Sequence, residues 1–122
     1  MFEKIKLRIF FAKIQSELIA QYNDQTFVNK ICQLPYTMEQ LIKVREEAYY
    51  KGQKIAPFLH VCFVLGEGME SDLLTQEERA ICAGLLTQRL EKAASDTHFR
   101  LKHIMIFGDL ESKVTTWAAK NA

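Results

Sequence analysis

The spacing of apolar residues predicts that most of this chain is helical. Near the N-terminus they recur three or four positions apart, as on one helix face, and predict a helix over residues 2–22. A shorter apolar set predicts a second helix over 27–34, with Asp24 or Thr26 as its N-cap. Pro35 ends this helix, because proline disfavours helical geometry at the residue before it.

Two further helix starts fit the capping box. In this motif a threonine hydroxyl and the side chain of a Glu or Gln three residues later accept each other's backbone N–H groups. The segments 37–40 (Thr-Met-Glu-Gln) and 75–78 (Thr-Gln-Glu-Glu) both match it. They predict helices over about 38–51 and 76–94, and Gly52 lies where a left-handed residue would end the first of these helices.

Two segments fit either a helix or a strand. The apolar run over 58–65 is typical of any buried element, and the alternation over 99–107 is typical of a strand. At helical spacing, however, a longer apolar stripe runs from Phe99 to Trp117. Because two lone strands make a marginal sheet, we predict an all-α fold, a single compact domain of five or six helices over 1–122. The alternative is an α+β fold with short strands near 58–65 and 99–107.

The composition limits the classes of protein to which the chain can belong. With 122 residues, 48% of them hydrophobic and 25% charged, it has the balance of an ordinary globular domain. A net charge of +1 argues against a strongly basic nucleic-acid binder. Its apolar runs are too short or too interrupted for a membrane span or a signal peptide. Three widely spaced cysteines indicate reduced core thiols and a cytoplasmic location.

The segment 66–72 combines two glycines with three carboxylates. This composition predicts an exposed polar loop. It does not fit a phosphate-binding loop, because the carboxylates would repel phosphate, and it lacks the ligand spacing of a calcium-binding EF-hand.

No group of residues fits a catalytic, metal or cofactor site better than it fits an ordinary helical core. His60 and Cys62 share a face only on a strand, while His98 and His103 point about 140° apart on a helix. The cysteines lie in apolar segments, which raise the pKa of a thiol. We therefore predict no metal, no cofactor and no enzymatic activity. An enzyme would need the fold to bring His60 and His103 together with an acid.

The segment 27–54 has the layout of a helix-turn-helix, with a short helix, a turn at Pro35 and a capped second helix. Candidate DNA contacts on the second helix and just after it are Lys43, Arg45, Lys51 and Lys54. Several glutamates on the same helix would face DNA with like charge. A DNA-binding regulator is therefore the alternative function.

By elimination, the sequence predicts a small non-enzymatic protein-interaction module that acts through helical surfaces. Such a module could be an adaptor, a chaperone-like protein, an inhibitor or a regulatory protein. Tyr49, Tyr50 and Trp117 lie near element ends and are candidate interface residues, because aromatic side chains often anchor interfaces. The predicted partner is another protein or a second copy of the chain, rather than nucleic acid or a membrane.

Overall fold

The structure is a computed structural model that describes residues 2–37, 39 and 57–121, with side chains from residue 11 onwards in these ranges. Every regular element in the described ranges is an α-helix, so the protein is of the all-α class. Residues 35–37 and 39 form a helical segment, and six helices have defined bounds. These are α1 (Phe2–Gln21), α2 (Gln25–Cys32), α3 (Pro57–Gly68), α4 (Gln76–Ala94), α5 (Thr97–Lys102) and α6 (Ile104–Lys120). The predicted number of five or six helices is not confirmed.

The α+β alternative is wrong, because both segments considered as strands are helical. Residues 58–65 lie within α3, and most of their side chains are buried. A helix buried on all sides is apolar all round, so its sequence shows no helical period. Residues 99–107 run through α5 into α6, and their alternating positions do not share a face. Phe107 is buried there, whereas Leu101 and Met105 are exposed.

The contacts between Cα atoms divide the chain into two compact units, Met1–Val64 and Leu65–Ala122. In the first unit α1 packs against α2. Of the two predicted N-caps, Asp24 and not Thr26 caps α2, because its side chain accepts a hydrogen bond of 3.1 Å from the backbone N–H of Phe27. Among the described side chains of these two helices, the buried ones are Ile14, Leu18, Phe27, Val28, Ile31 and Cys32. The prediction of one domain over 1–122 stays a prediction.

The first capping box is not used as predicted. Helical backbone begins at Pro35, so Thr37 lies inside the helix and not at its N-cap. Proline suits a first helical position, since its missing N–H would be unpaired there. The buried Thr37 hydroxyl donates a hydrogen bond of 2.8 Å to the carbonyl oxygen of Ile31, in the last turn of α2. Apart from residue 39, the predicted helix over 38–51 and its end at Gly52 lie outside the described residues.

The second unit is built around α4, which packs against both α5 and α6. The second capping box starts α4 and is confirmed in both halves. The Thr75 hydroxyl oxygen accepts from the N–H of Glu78 at 3.1 Å, and Glu78 Oε1 accepts from the N–H of Thr75 at 2.8 Å. The helix ends at Ala94, as the sequence predicts. Its buried face consists of Cys82, Ala83, Leu85, Leu86, Arg89, Leu90 and Ala93.

The prediction of an exposed loop over 66–72 is wrong for the first half of this segment. The helix α3 continues through Gly66 to Gly68, and both glycines are buried. A Cβ atom on Gly66 would lie 3.5 Å from Leu110 Cδ2 and 3.6 Å from Lys113 Cδ. These are ordinary van der Waals distances, so Gly66 is a helical residue packed against α6 and not a point of chain reversal.

The turn that follows α3, residues 69–75, is attached to the C-terminal half of α6. Lys113 Nζ forms an ion pair of 2.9 Å with Glu67 Oε1, at the end of α3. Trp117 Nε1 donates a hydrogen bond of 3.1 Å to the carbonyl oxygen of Met69. In the described part of the chain, no helix is both long enough and apolar enough to cross a membrane.

Candidate interaction surface

Asp96 starts α5, and His103 forms the corner between α5 and α6. Asp96 caps α5, because its side chain accepts a hydrogen bond of 3.1 Å from the backbone N–H of Phe99. His103 ends α5 with φ −123° and ψ 34°, outside helical geometry, and α6 begins at the next residue. The chain therefore changes direction at one residue, and the side chains on either side of it project from two different helices.

The inner side of this corner is aromatic. The ring of His103 meets that of Phe99 edge-on, with centroids 5.1 Å apart, and that of Phe107 at 6.5 Å. Phe99 and Phe107 are 5.6 Å apart, and Phe107 is almost fully buried. Such edge-on and tilted pairs are favourable beyond the apolar area that they bury. The three rings therefore hold α5 against α6.

An ion pair joins the two helices beside the rings. Arg100 Nη2 lies 2.7 Å from Glu111 Oε1. Both side chains are partly exposed, so solvent screens the pair and its contribution to stability is small. Its main effect is to fix the side of α5 that faces α6.

The outer side of the corner carries an exposed apolar cluster, which we define as Leu101, Ile104 and Met105. Their exposed fractions are 61%, 56% and 79%. Single exposed apolar residues are ordinary, but three large ones within five positions concentrate apolar surface in one part of the chain, as interaction sites do. The exposed residues around the cluster are polar, and they include His98, Lys102 and Asp109.

Beyond Met105, the outer face of α6 carries small side chains and few charges. Its exposed residues include Gly108, Ser112, Thr116 and Ala119. The charged residues among the exposed positions of α6 are Asp109 near its start and Lys120 at its end. A helix face that points only into water usually carries many charges, as the outer face of α4 does with Glu77, Glu91 and Lys92.

Of the candidate interface residues from the sequence, Trp117 is half-buried, and its indole N–H is bonded to the turn after α3. This contact gives Trp117 a structural role in the second unit. Tyr49 and Tyr50 lie outside the described residues. Whether any of the three contacts a partner stays a prediction.

The candidate DNA contacts Lys43, Arg45, Lys51 and Lys54 also lie outside the described residues. In the described part of the proposed helix-turn-helix, the connection between the two helices is short. The first helix, α2, ends at Cys32, and helical backbone resumes at Pro35. A helix-turn-helix usually has a turn of about three or four residues. The two intervening residues are fewer than that geometry needs.

The nucleophilic and metal-binding residue types are mostly buried among apolar groups. All three cysteines are buried thiols. Burial raises the pKa of the Cys32 thiol to about 11, and burial together with the Glu78 carboxylate raises that of Cys82 to about 12. Loss of hydration lowers the pKa of the buried His60 to about 4. Among the described residues, no three His, Cys, Asp or Glu side chains come together as a metal site would require.

Sequence reasoning did not find the exposed apolar cluster, although a signal for it exists. The helical stripe from Phe99 to Trp117 leaves out Leu101, Ile104 and Met105. Large apolar residues that fall off the buried stripe of a helix are candidates for a second, outward face. Their alternation with the buried positions was instead consistent with a strand.

No model of a known protein family matches the chain, and neither a curated protein nor a solved structure matches it. The chemistry of the described surface is therefore the basis for inferring a function.

Proposed function

We propose that the protein is a small non-enzymatic protein-interaction module that binds another protein through helical surfaces. Adaptors, chaperone-like proteins, inhibitors and regulatory proteins are the classes that this function includes. The observation that supports it most is the exposed apolar cluster of Leu101, Ile104 and Met105, which α5 and α6 present together.

The cluster has the composition of an interface centre. Full burial of one such side chain is worth about 1.5–3 kcal/mol, so a partner that covers the cluster gains a useful share of its binding free energy there. The polar residues around it, including Lys102 and Asp109, correspond to the hydrated rim that usually surrounds an interface core.

The buried cysteine thiols support two parts of this proposal, a function without catalysis and a location in the cytoplasm. A thiol acts as a nucleophile in its ionised form, and the raised pKa values of Cys32 and Cys82 disfavour that form. Buried, unbridged thiols are also typical of proteins kept in a reducing compartment.

The test is capture from a native cell extract with the tagged full chain, with and without nuclease. We expect a stoichiometric protein that survives nuclease and is lost when Met105→Glu places a charge in the cluster. Thr97→Glu is the matched control, because it adds the same charge at an exposed position of α5 outside the cluster. Equal capture by both variants would contradict a role for the cluster.

The alternative, a helix-turn-helix DNA-binding regulator that uses 27–54, is tested by the same experiment. Its signature would be nucleic acid that co-elutes, is lost at high salt and is weakened by Arg45→Ala, because phosphate contacts release counterions. That result would replace the interaction-module proposal. The short connection before Pro35 does not favour it.

A further inference from the structure

We propose that the partner of this surface is a second copy of the chain, bound with the outer face of α6 antiparallel to α6 of the other copy. This inference rests on the proposed function, because it assigns an occupant to the same surface. It depends on the position of charges along α6, on the apolar side chains at its two ends and on the small residues between them.

The outer face of α6 has the spacing of a helix-pairing stripe. Met105, Asp109, Ser112, Thr116 and Lys120 follow one another at intervals of four or three residues, which places them along one side of the helix. All five are exposed, and the stripe extends over the whole length of α6.

The charges on this stripe complement each other only when the two helices are antiparallel. The other acid and base within α6 are already paired, Glu111 with Arg100 and Lys113 with Glu67. Asp109 and Lys120, at opposite ends of the stripe, have no ion pair within the described part of the chain. Antiparallel pairing turns the acidic end of each α6 towards the basic end of the other, so two such pairs form at once. Parallel pairing would instead place like charges together.

The exposed apolar side chains also lie at the two ends of α6. The cluster of Leu101, Ile104 and Met105 is at its N-terminal end. Leu73, 63% exposed, is in the 69–75 turn, which the hydrogen bond of Trp117 attaches to the C-terminal end. Under two-fold symmetry, an antiparallel pair brings the cluster of each copy to the end of α6 where the other copy carries Leu73. The arrangement therefore brings exposed apolar side chains of both copies to the same end of the helix pair, where their removal from water would be favourable.

The small residues in the middle of the stripe allow the two α6 helices to approach each other closely. Gly108, Ser112 and Thr116 are small, and apart from its sequence neighbours and its own helix backbone, nothing in the described residues lies within 4 Å of where a Cβ on Gly108 would be. Helices with small residues at their contact pack near the short end of the usual distance of about 8–10 Å. One helix face with two apolar ends is at the lower limit of specific interfaces, about 1,200 Å², so we expect a dissociation constant on the order of micromolar.

The first test is sedimentation equilibrium of the purified full chain from about 1 µM to about 500 µM, the range in which a micromolar dimer dissociates. We expect a reversible monomer–dimer equilibrium. Ser112→Arg places two like charges next to the symmetry axis and should raise the dissociation constant at least about tenfold. Ala80→Arg is the matched control, because it adds the same residue to an exposed position of α4 and should leave the constant unchanged.

The orientation is tested by exchanging the two charges. Asp109→Lys and Lys120→Asp should each raise the dissociation constant about fivefold at low salt, because each turns both attractive pairs of the dimer into repulsive ones. The double variant restores opposite charges and should return the constant towards that of the wild type. Failure of the double variant to recover would overturn the antiparallel arrangement.

Two results would overturn the second copy as occupant. One is a chain that stays monomeric throughout the range, and the other is a dimer that Ser112→Arg leaves intact. If the chain is monomeric but still captures a different protein in a Met105-dependent way, this inference fails while the proposed function stands. If the α6 dimer forms but the wild type and Met105→Glu capture the same different protein equally, the inference stands and the role of the cluster in binding another protein fails.

Discussion

His60 lies in α3 with 2% of its surface exposed, and burial lowers the pKa of its imidazole to about 4, from an ordinary value of 6.5. The residue types alone made His60 a candidate metal ligand or catalytic base. Its burial makes it a neutral core residue at physiological pH. For a single residue such as His60, burial therefore decides whether the side chain can act as a metal ligand or a base.

We predict that His60 makes the protein less stable in mild acid. Between the folded pKa near 4 and the unfolded pKa near 6.5, the unfolded chain binds more protons. The contribution of the neutral His60 to the free energy of unfolding is therefore fully present above the unfolded pKa. It falls by up to about 3 kcal/mol as the pH drops towards the folded pKa. Urea unfolding of the wild type and of His60→Leu at several pH values measures this contribution as a difference.

The histidine control is His98→Gln, which removes an exposed imidazole instead. It should show the same acid-dependent loss of unfolding free energy as the wild type, whereas His60→Leu should lose less. Parallel pH profiles for the wild type and His60→Leu would show that His60 ionises freely in the folded state.

The three thiols give a second residue-level prediction. Because they are buried, and the thiols of Cys32 and Cys82 have raised pKa values, the native protein should react with Ellman's reagent far more slowly than the unfolded protein. In denaturant all three cysteines should react promptly. Fast reaction of one thiol in the native state would identify an accessible cysteine, and that cysteine would again be a candidate catalytic nucleophile.

At the level of elements, the two capping boxes show the limit of a local motif. The box at 75–78 follows a turn and forms both of its hydrogen bonds. The box at 37–40 is displaced, because Pro35 starts the helix earlier and the Thr37 hydroxyl bonds to Ile31 instead. A local motif can start a helix only when no stronger start precedes it.

Thr75 provides the test of the cap that is used. Thr75→Ala removes the hydroxyl that accepts from Glu78 and should cost about 1 kcal/mol of unfolding free energy. Thr75→Ser keeps the hydroxyl and should cost much less. Equal loss in both variants, measured by urea unfolding, would mean that the threonine methyl group and not the cap stabilises α4.

For the whole molecule, the described helices predict a far-UV circular dichroism spectrum dominated by helix, with well over half of the chain helical. The spectrum should keep its helical shape when the protein is diluted below the dissociation constant of the proposed dimer, since the helices are held by contacts within each copy. A clear strand contribution would contradict the all-α assignment. Loss of helix on dilution would mean that folding depends on association.

The sequence by itself determined the all-α class, the bounds of α4 and, to within one residue, those of α1. These depend on apolar spacing and a capping box, which act over a few neighbouring residues. The helix predicted over 27–34 runs instead from Gln25 to Cys32, and Pro35 starts the next helical segment rather than ending this one. The exposure of Leu101, Ile104 and Met105 was decided only by tertiary structure, because it follows from the change of direction at His103 and from the rings packed beneath it. The burial of Gly66 and Gly68 within α3 was likewise seen only in the tertiary structure. Contacts between distant segments, such as the hydrogen bond from Trp117 to Met69, leave no local signal in the sequence.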